Sequence, residues 1–418
     1  MVTAARAADA FAGAVGAEHV RDAAAQDAVS GVMPALVVSP GSEEEVAAVL
    51  QAAAQHGLAV VVRGGGSKLS WGAPPRRCEV VLSTARLAGV VEHEPGDLVC
   101  VVRAGTPLAS LQASLAAHGQ RLALDPPHGV SATVGGIVAA AAHGPLRTRF
   151  GTARDMVLGA RFVTGDGVIG HSGGKVVKNV AGYDVAKLLI GSLGTLGVVT
   201  EVALRLQPLP HARRTVACQD LAAEQVDAVW RALSGSGVEP AAVVALSPGG
   251  AVLVRVEGTD AGAQAQAETL LAATRGLAPQ VRALDAAEAD RAWTYAETCV
   301  WGGDTLDPVA SVALPRTDLG ALLQRLAGVT HVAVALPSLG VADVRLPATT
   351  APADVASLRS WVQHRGGHVV LRRATPALAG LAWPQVGDED VAAGLMRSLK
   401  RALDPHGTLA PGRHLGGI

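Results

Sequence analysis

Three glycine-rich segments hold the residues best placed to do chemistry. The first, Arg63-Gly64-Gly65-Gly66-Ser67-Lys68, follows an apolar run from Leu58 to Val62. Consecutive glycines let backbone N–H groups converge on phosphate oxygens, because no Cβ blocks the approach. Arg63 and Lys68 add positive charge to that loop. The second, Ala132-Thr133-Val134-Gly135-Gly136, opens an alanine-rich stretch running to Ala142-His143-Gly144. Its small side chains allow a flat group to lie close, and a pyrophosphate suits the start of such a helix. The third, Gly173 to Gln207, sets glycines, lysines and the Tyr183-Asp184 pair among short apolar runs before resolving into a strand. Each alone is compatible with a tight turn or with helix packing through alanine. Together they suggest a flavin site.

Other nucleotide signatures do not fit. Ser67 rather than Gly precedes Lys68, so the first loop is not a P-loop. Prolines and no helix follow it, which removes the Rossmann fingerprint. Gly191, Gly194 and Gly197 are spaced by three, so GxGxxG is not satisfied and NAD is disfavoured.

The elements that must position these loops alternate in type. Val37-Val38 leads to Ser42, which with Glu45 reads as a capping box. Val46, Val49, Leu50 and Ala53 then repeat at helical spacing and Gly57 stands at the C′ position. A second unit runs from the strand Leu98–Val102 through Thr106-Pro107 into a helix ending near Ala117. After Pro208-Leu209-Pro210 the glycine-rich character fades into a mixed pattern of strands and helices. The expected organisation is an N-terminal helical extension at 1–29, a cofactor domain at 30–210, a substrate or cap domain at 211–395 and a tail at 396–418 that returns to the cofactor domain. The fold class is α+β.

The 418 residues suffice for two cores. A net charge of −1 and 17% charged residues supply no basic field for nucleic acid, and 3% aromatic residues leave little for base stacking. The longest weakly polar run, Gly129 to Ala142, falls short of the roughly 20 residues that span a bilayer. The first residues lack an apolar signal-peptide core. Cys78, Cys100, Cys218 and Cys299 stand far apart without a CxxC pair, as expected of incidental thiols in a reducing cytoplasm and not of a zinc or iron–sulfur site.

The strand into RGGGSK, then DPP…ATVGGIVAAAAHG…FGTARD, then KNVAGYDVAKLLIGSLGTLGVVTE resembles the FAD-binding domain of the vanillyl-alcohol oxidase/PCMH flavoprotein superfamily. The ending LKRALDPHGTLAPGR is similar to the LDPxGxxNPG tail of that superfamily. Within it the chain is most similar to the FAD-binding E subunits of bacterial glycolate oxidases. The resemblance implies a two-subdomain PCMH-type FAD-binding fold followed by an α+β cap domain. It assigns Arg63 to Lys68, Pro126, Ala132 to Gly136, Ala139 and Gly144 to FAD, and puts Val198 against the flavin ring region. Ser67-Lys68 stands where relatives with covalent flavin carry His-Ser, so the implied attachment is non-covalent.

The implied reaction oxidises a small 2-hydroxy acid, which needs a cation for the carboxylate, a base for the hydroxyl proton and the Cα over the flavin. Arg372 and Arg255 are candidate clamps, because a guanidinium meets a carboxylate bidentately. His368 is the favoured base and Tyr183 the second candidate. His364 and His368 enclose two glycines, so a helical metal pair is not expected. The D subunits of glycolate oxidases carry a string close to HxxHxGxGNxH, which does not occur here. Two roles therefore stand open: oxidation by this chain, or relay of electrons through its FAD to a D-type flavoprotein and an iron–sulfur subunit. The implied location is the cytoplasm or, through partners, the inner membrane face. Rival readings are a self-sufficient FAD oxidoreductase for another hydroxy acid or a polyol, and a non-catalytic structural subunit.

Overall fold

The computed structural model describes residues 2–175, 182–302, 307–387 and 389–418. By internal contacts the chain forms two units, Met1–Ala142 with Thr152–Pro208 and Gln385–Ile418, and His143–Gly151 with Leu209–Pro384. Two expected boundaries shift. The returning tail begins at Gln385 rather than 396, and residues 1–29 are part of the first unit rather than an appendage. Phe11 explains the second shift, since it is fully buried in a cluster with Val46, Leu50 and Leu82.

Among the described residues the first unit contains two larger sheets. One has the order Val20–Asp22, Leu36–Val38, Val80–Ser83, Val60–Arg63, with the last three strands parallel. The helix Glu43–Gln55 crosses between the two parallel strands Leu36–Val38 and Val60–Arg63. Ser42 caps it by accepting the Glu45 N–H, and Val46, Val49, Leu50 and Ala53 form its buried stripe. The other sheet is antiparallel, in the order Val90–Glu94, Val99–Arg103, Val198–Arg205, Val157–Val163, Ile169–Gly173. The short helix Val134–Ala140 lies beside it.

The second unit is built on an eight-stranded sheet. Its order is Gln280–Leu284, Ala212–Gln219, Ala251–Gly258, Ala242–Ser247, Val332–Leu336, Val341–Arg345, Val309–Ala313, His368–Arg373. Alternation gives the two faces different characters. Val216, Val254, Val243, Ala342, Val312 and Leu371 point to one core, which the helices Ala223–Gly235, Asp260–Thr274, Leu319–Leu326 and Pro352–Gln363 cover. Val226, Val229 and Leu233 show the helical spacing that makes this possible. Truncating a fully buried member such as Leu322 to Ala is expected to cost about 2–5 kcal/mol. The other face carries Leu253, Val244 and Leu336 against Trp293, together with Leu146 and Phe150 from the segment His143–Gly151. Further along that face stand Arg255, Ser311, Asp343 and Arg372, in the positions that alternate with the apolar core residues.

Candidate functional site

The strand Val60–Arg63 delivers the first glycine loop onto the second, and glycine is required for that approach. A Cβ on Gly64 would stand 2.1 Å from Thr133 Oγ1, and one on Gly65 would stand 1.6 Å from the Ser131 carbonyl oxygen. Gly66 adopts φ +76°, a conformation L side chains avoid. Lys68 then donates to the Pro127 carbonyl at 2.9 Å and to Ser67 Oγ at 3.1 Å. The third segment closes on the same helix, with Gly191 N–H donating to Val138 O and Leu193 N–H to Ala139 O. Residues 176–181 of that segment, including Lys178 and Asn179, lie outside the described residues.

The result is a pocket whose lining includes Gly64 to Lys68, Thr133, Gly136, Ala139, Leu193 and Arg413. Its polar groups are overwhelmingly donors. Among the described residues the amides of Gly65, Gly66, Ser67 and Lys68 meet no acceptor. Burial holds the Lys68 ammonium down at about 8 and the Arg413 guanidinium at about 10. Among the described residues no carboxylate lines the pocket. Desolvated cations beside unbonded loop amides suit a bound pyrophosphate. The pocket thus fits FAD on donor chemistry.

Arg413 did not emerge from the sequence. It comes from the C-terminal tail, where its guanidinium donates to Leu69 O at 2.8 Å and Trp71 O at 2.7 Å. The tail is held by Lys400, which donates to Thr195 O and Leu409 O and pairs with the buried Asp404. The only hint of it lay in the LAPGR ending.

Several expected cofactor residues sit elsewhere. Arg63 is not part of the pocket lining and pairs instead with Asp27 at 2.6 Å, a carboxylate that Arg21 also holds bidentately at 2.8 Å. The start of the helix Val134–Ala140 has no amides to offer. Val134 N–H bonds Thr106 O, Gly135 N–H bonds Ala104 O and Gly136 N–H bonds Thr133 Oγ1. The donors for an anion therefore come from the first loop and not from the helix start. Val134 and Ala132 are buried in the core, and Gly135 is glycine because a Cβ would lie 2.7 Å from that of Ala104. Pro126 is buried beside Pro127, whose carbonyl serves Lys68. Val198 is fully buried in the core with Val163, so its side chain does not line the pocket. Gly144 belongs to the segment that packs with the second unit.

The catalytic candidates do not assemble as expected. Arg255 lies over the Trp293 ring at 4.2 Å from its centroid. Five strand-to-strand steps separate its strand from that of Arg372, about 24 Å at the usual spacing, so the two cannot clamp one carboxylate. His368 is exposed at the start of the edge strand. It is four residues from Arg372, about 13 Å along a strand, too far to serve a small acid held there. Tyr183 is 95% exposed, and its carbonyl accepts from Ser172.

Arg372 instead meets partners the sequence reading missed. Leu146 and Phe150 anchor the segment His143–Gly151 on the second unit's sheet. That brings Arg147 and His143 into the neighbourhood of Arg372 and Asp343, where the two arginines act electrostatically on both the imidazole and the carboxylate. Arg147 donates to His143 Nε2 at 2.9 Å. Since a guanidinium only donates, Nε2 accepts and the neutral imidazole carries its proton on Nδ1. Burial, then Arg147 and Arg372, push the imidazole down to about 3. Burial lowers Arg372 and raises Asp343, while their mutual attraction opposes both shifts. Ser311 is paired in register with Asp343, and its hydroxyl favours the carboxylate, against the rise from burial. The closeness in sequence of His143 and Arg147, four residues apart across Gly144-Pro145, was the available signal.

Residues 34–173 match the family described as FAD binding domain, and residues 385–414 match the C-terminal domain of FAD linked oxidases. Glycolate oxidase subunit GlcE of Escherichia coli K12 is 40% identical over 184 residues, which cover 43% of this chain and 52% of that protein. A D-lactate dehydrogenase of Archaeoglobus fulgidus is 40% identical over 175 residues, 41% of this chain and 39% of that one. The chain thus spans about half or less of the length of these curated relatives. Among solved structures, p-cresol methylhydroxylase with substrate bound aligns at a TM-score of 0.76 and 16% identity, covering 99% of this chain and 97% of that one. Residues 34–173 are an FAD binding domain, residues 385–414 carry the C-terminal signature of FAD linked oxidases, and the chain has the p-cresol methylhydroxylase-type flavoprotein fold.

Proposed function

We propose that the chain is the FAD-binding subunit of a glycolate oxidase-like 2-hydroxyacid dehydrogenase, with the flavin held non-covalently. The observation that carries this is the pocket of the first unit, lined by Lys68, Arg413 and a glycine loop whose four amides meet no acceptor among the described residues. The names of the two curated relatives, a glycolate oxidase subunit and a D-lactate dehydrogenase, support a 2-hydroxy acid as the electron donor. Bound FAD supplies the electron acceptor for that alcohol. The chain's own residues hold the pyrophosphate and, through Arg372, the substrate carboxylate. The word subunit in the first relative's name supports assembly with further chains, for which a D-type flavoprotein and an iron–sulfur protein are the proposed partners. Among the described residues no helix is long and apolar enough to cross a membrane.

The test is direct. Purified protein should be yellow, and acid precipitation should release FAD to the supernatant. Anaerobic glycolate or D-lactate should then bleach the flavin. A colourless protein that cannot be reconstituted with FAD ends this reading. Bleaching only after a partner is added assigns the chain to electron relay.

A further inference from the structure

The second unit holds a cavity of about 530 Å³ that the flavin site does not use. Two adjacent strands bring its polar groups together. Ala242–Ser247 runs antiparallel to Val332–Leu336 with Ser247 opposite Ala333, and His331 immediately precedes the second strand. Ser247 Oγ and His331 Nε2 stand 2.8 Å apart, and His331 Nδ1 stands 2.8 Å from Val329 O. A carbonyl oxygen only accepts, so Nδ1 carries the proton and the neutral imidazole accepts the Ser247 hydroxyl at Nε2. That is the tautomer a general base needs to take a serine proton, with a backbone carbonyl in the orienting role of a triad carboxylate. His331 is 8% exposed and is held through both ring nitrogens, while Ser247 keeps accessible surface. The cavity floor is apolar, with Leu221, Val226 and Leu323 all buried. Its rim includes the exposed Pro248, Gly249 and Thr330, so a solute can reach Ser247. The turn after Ser247 is held in place. Leu221 N–H donates to Gly250 O at 2.7 Å, and a Cβ on Gly250 would stand 2.0 Å from Leu221 O. Among the described residues the amides of Gly249 and Gly250 meet no acceptor. A mere tie between strand ends requires neither unbonded donors beside the serine nor an open apolar cavity.

We propose that Ser247 and His331 form a nucleophile–base pair that hydrolyses small neutral acyl esters. Ser247 Oγ attacks the acyl carbon, and its proton passes to His331 Nε2. The acyl oxygen takes up negative charge, for which the Gly249 and Gly250 amides are the unbonded donors beside the serine. The bond from the acyl carbon to the alcohol oxygen then breaks, and Nε2 returns the proton to that oxygen. Water adds to the acyl-serine by the same route, which releases the carboxylic acid and restores the serine. No group is oxidised or reduced, so the reaction is independent of FAD. The lining sets the substrate class. Among the described residues that line the cavity none is charged once His331 is neutral, so nothing there holds an ionised substrate. The apolar floor suits a short acyl chain. A carbonyl stabilises the imidazolium less than a carboxylate does, so slow turnover is expected.

The experiment treats the full purified chain with a fluorophosphonate and maps the adduct by mass spectrometry, beside steady-state hydrolysis of p-nitrophenyl acetate and butyrate. One phosphonyl group should appear on Ser247 of the folded chain, and heat-denatured protein should take up none there. Ser247→Ala should remove the adduct and lower ester hydrolysis at least tenfold. His331→Gln leaves the hydroxyl in place and should slow both labelling and hydrolysis at least tenfold. Labelling of the wild-type chain needs no variant, so a variant that fails to fold does not remove the test. A folded wild-type chain left unmodified at Ser247 by excess reagent overturns the proposal. Hydrolysis undiminished in a folded Ser247→Ala, or labelling undiminished in a folded His331→Gln, overturns it equally.

Discussion

Lys68 gives the sharpest test of the flavin pocket, because stability and binding should move in opposite directions. The side chain is 8% exposed, and desolvation takes its pKa from the ordinary 10.5 to about 8. Its bonds to Pro127 O and Ser67 Oγ, and the Trp71 ring at 5.9 Å, do not replace the lost hydration. At about 1.4 kcal/mol per pKa unit, holding the charged lysine there costs the flavin-free fold about 3 kcal/mol at neutral pH. The sign follows from proton binding. Below about 8 both states bind the proton and the cost is fully present. Between about 8 and 10.5 the unfolded chain holds the proton and the folded one does not, so this residue makes stability rise with pH. Lys68→Met keeps the volume and removes the charge. It should therefore raise the melting temperature of the flavin-free protein at pH 7. In the FAD complex the same change removes a charge-assisted hydrogen bond to phosphate worth about 1.5–3 kcal/mol, so the FAD Kd should rise about 10- to 150-fold.

The pH dependence of binding supplies an independent check. A phosphate beside Lys68 favours the ammonium, so FAD binding at pH 9 should take up a proton that it does not take up at pH 7. Titration calorimetry in buffers of different ionisation enthalpy reads that proton directly, and Lys68→Met should abolish the uptake. A variant that melts lower than wild type and binds FAD unchanged would show Lys68 to be a structural tie. The pyrophosphate assignment would then fall with it.

Two further perturbations probe what places the loop. Gly65→Ala puts a methyl 1.6 Å from the Ser131 carbonyl oxygen, so the two loops must part; flavin content per purified chain should fall at least tenfold, at a stability cost of about 1–3 kcal/mol read by urea unfolding. Asp27→Asn leaves Arg21 and Arg63 without their shared carboxylate and should destabilise the fold by about 3 kcal/mol. The hydrogen bond from Arg21, with Ala24 N–H and Arg63, holds the Asp27 carboxyl well below the usual carboxylate range. Its contribution is complete above about pH 4 and lost as the pH falls further, so the wild-type advantage over Asp27→Asn in melting temperature should shrink on acidification.

The parts of the site that were legible in the sequence are those written in local chemistry. A β-branched run meeting three glycines and a lysine needs no tertiary information to read as an anion loop, and Ser42 capping at Glu45 is a three-residue affair. What could not be read depends on where distant backbone atoms end up. The start of the helix Val134–Ala140 looked like an anion site until Thr106 O and Ala104 O, contributed by the preceding strand and loop, consumed its amides. Arg63 looked like a phosphate ligand until Asp27, 36 residues earlier, claimed it. Arg413 reaches the loop across 344 residues of chain to Leu69. None of these follows from spacing or periodicity.

The catalytic candidates failed for a related reason, and the failure explains the second cluster. Arginines on different strands look equivalent in one dimension, but strand order decides whether they meet. Arg255 and Arg372 share a sheet face and are still five strands apart, because Ala242–Ser247, Val332–Leu336, Val341–Arg345 and Val309–Ala313 intervene. The same order pairs Asp343 with Ser311 and brings Arg372 beside them on the edge strand. The remaining cation comes from His143–Gly151, a segment inside the stretch that matches an FAD binding domain yet packing with the second unit. Leu146 and Phe150 make that choice, since burying two large apolar side chains against Leu253 and Trp293 contributes several kcal/mol, at about 25 cal/mol per Å². Arg147, at the start of the helix Arg147–Phe150, and His143, four residues before it, are carried along on the same segment. Replacing Leu146 with Ala should therefore weaken glycolate binding without touching a charged group, while leaving Lys68 and its FAD-linked proton uptake intact. If both properties fell together, the two sites would not be separable in the way the packing of that segment requires.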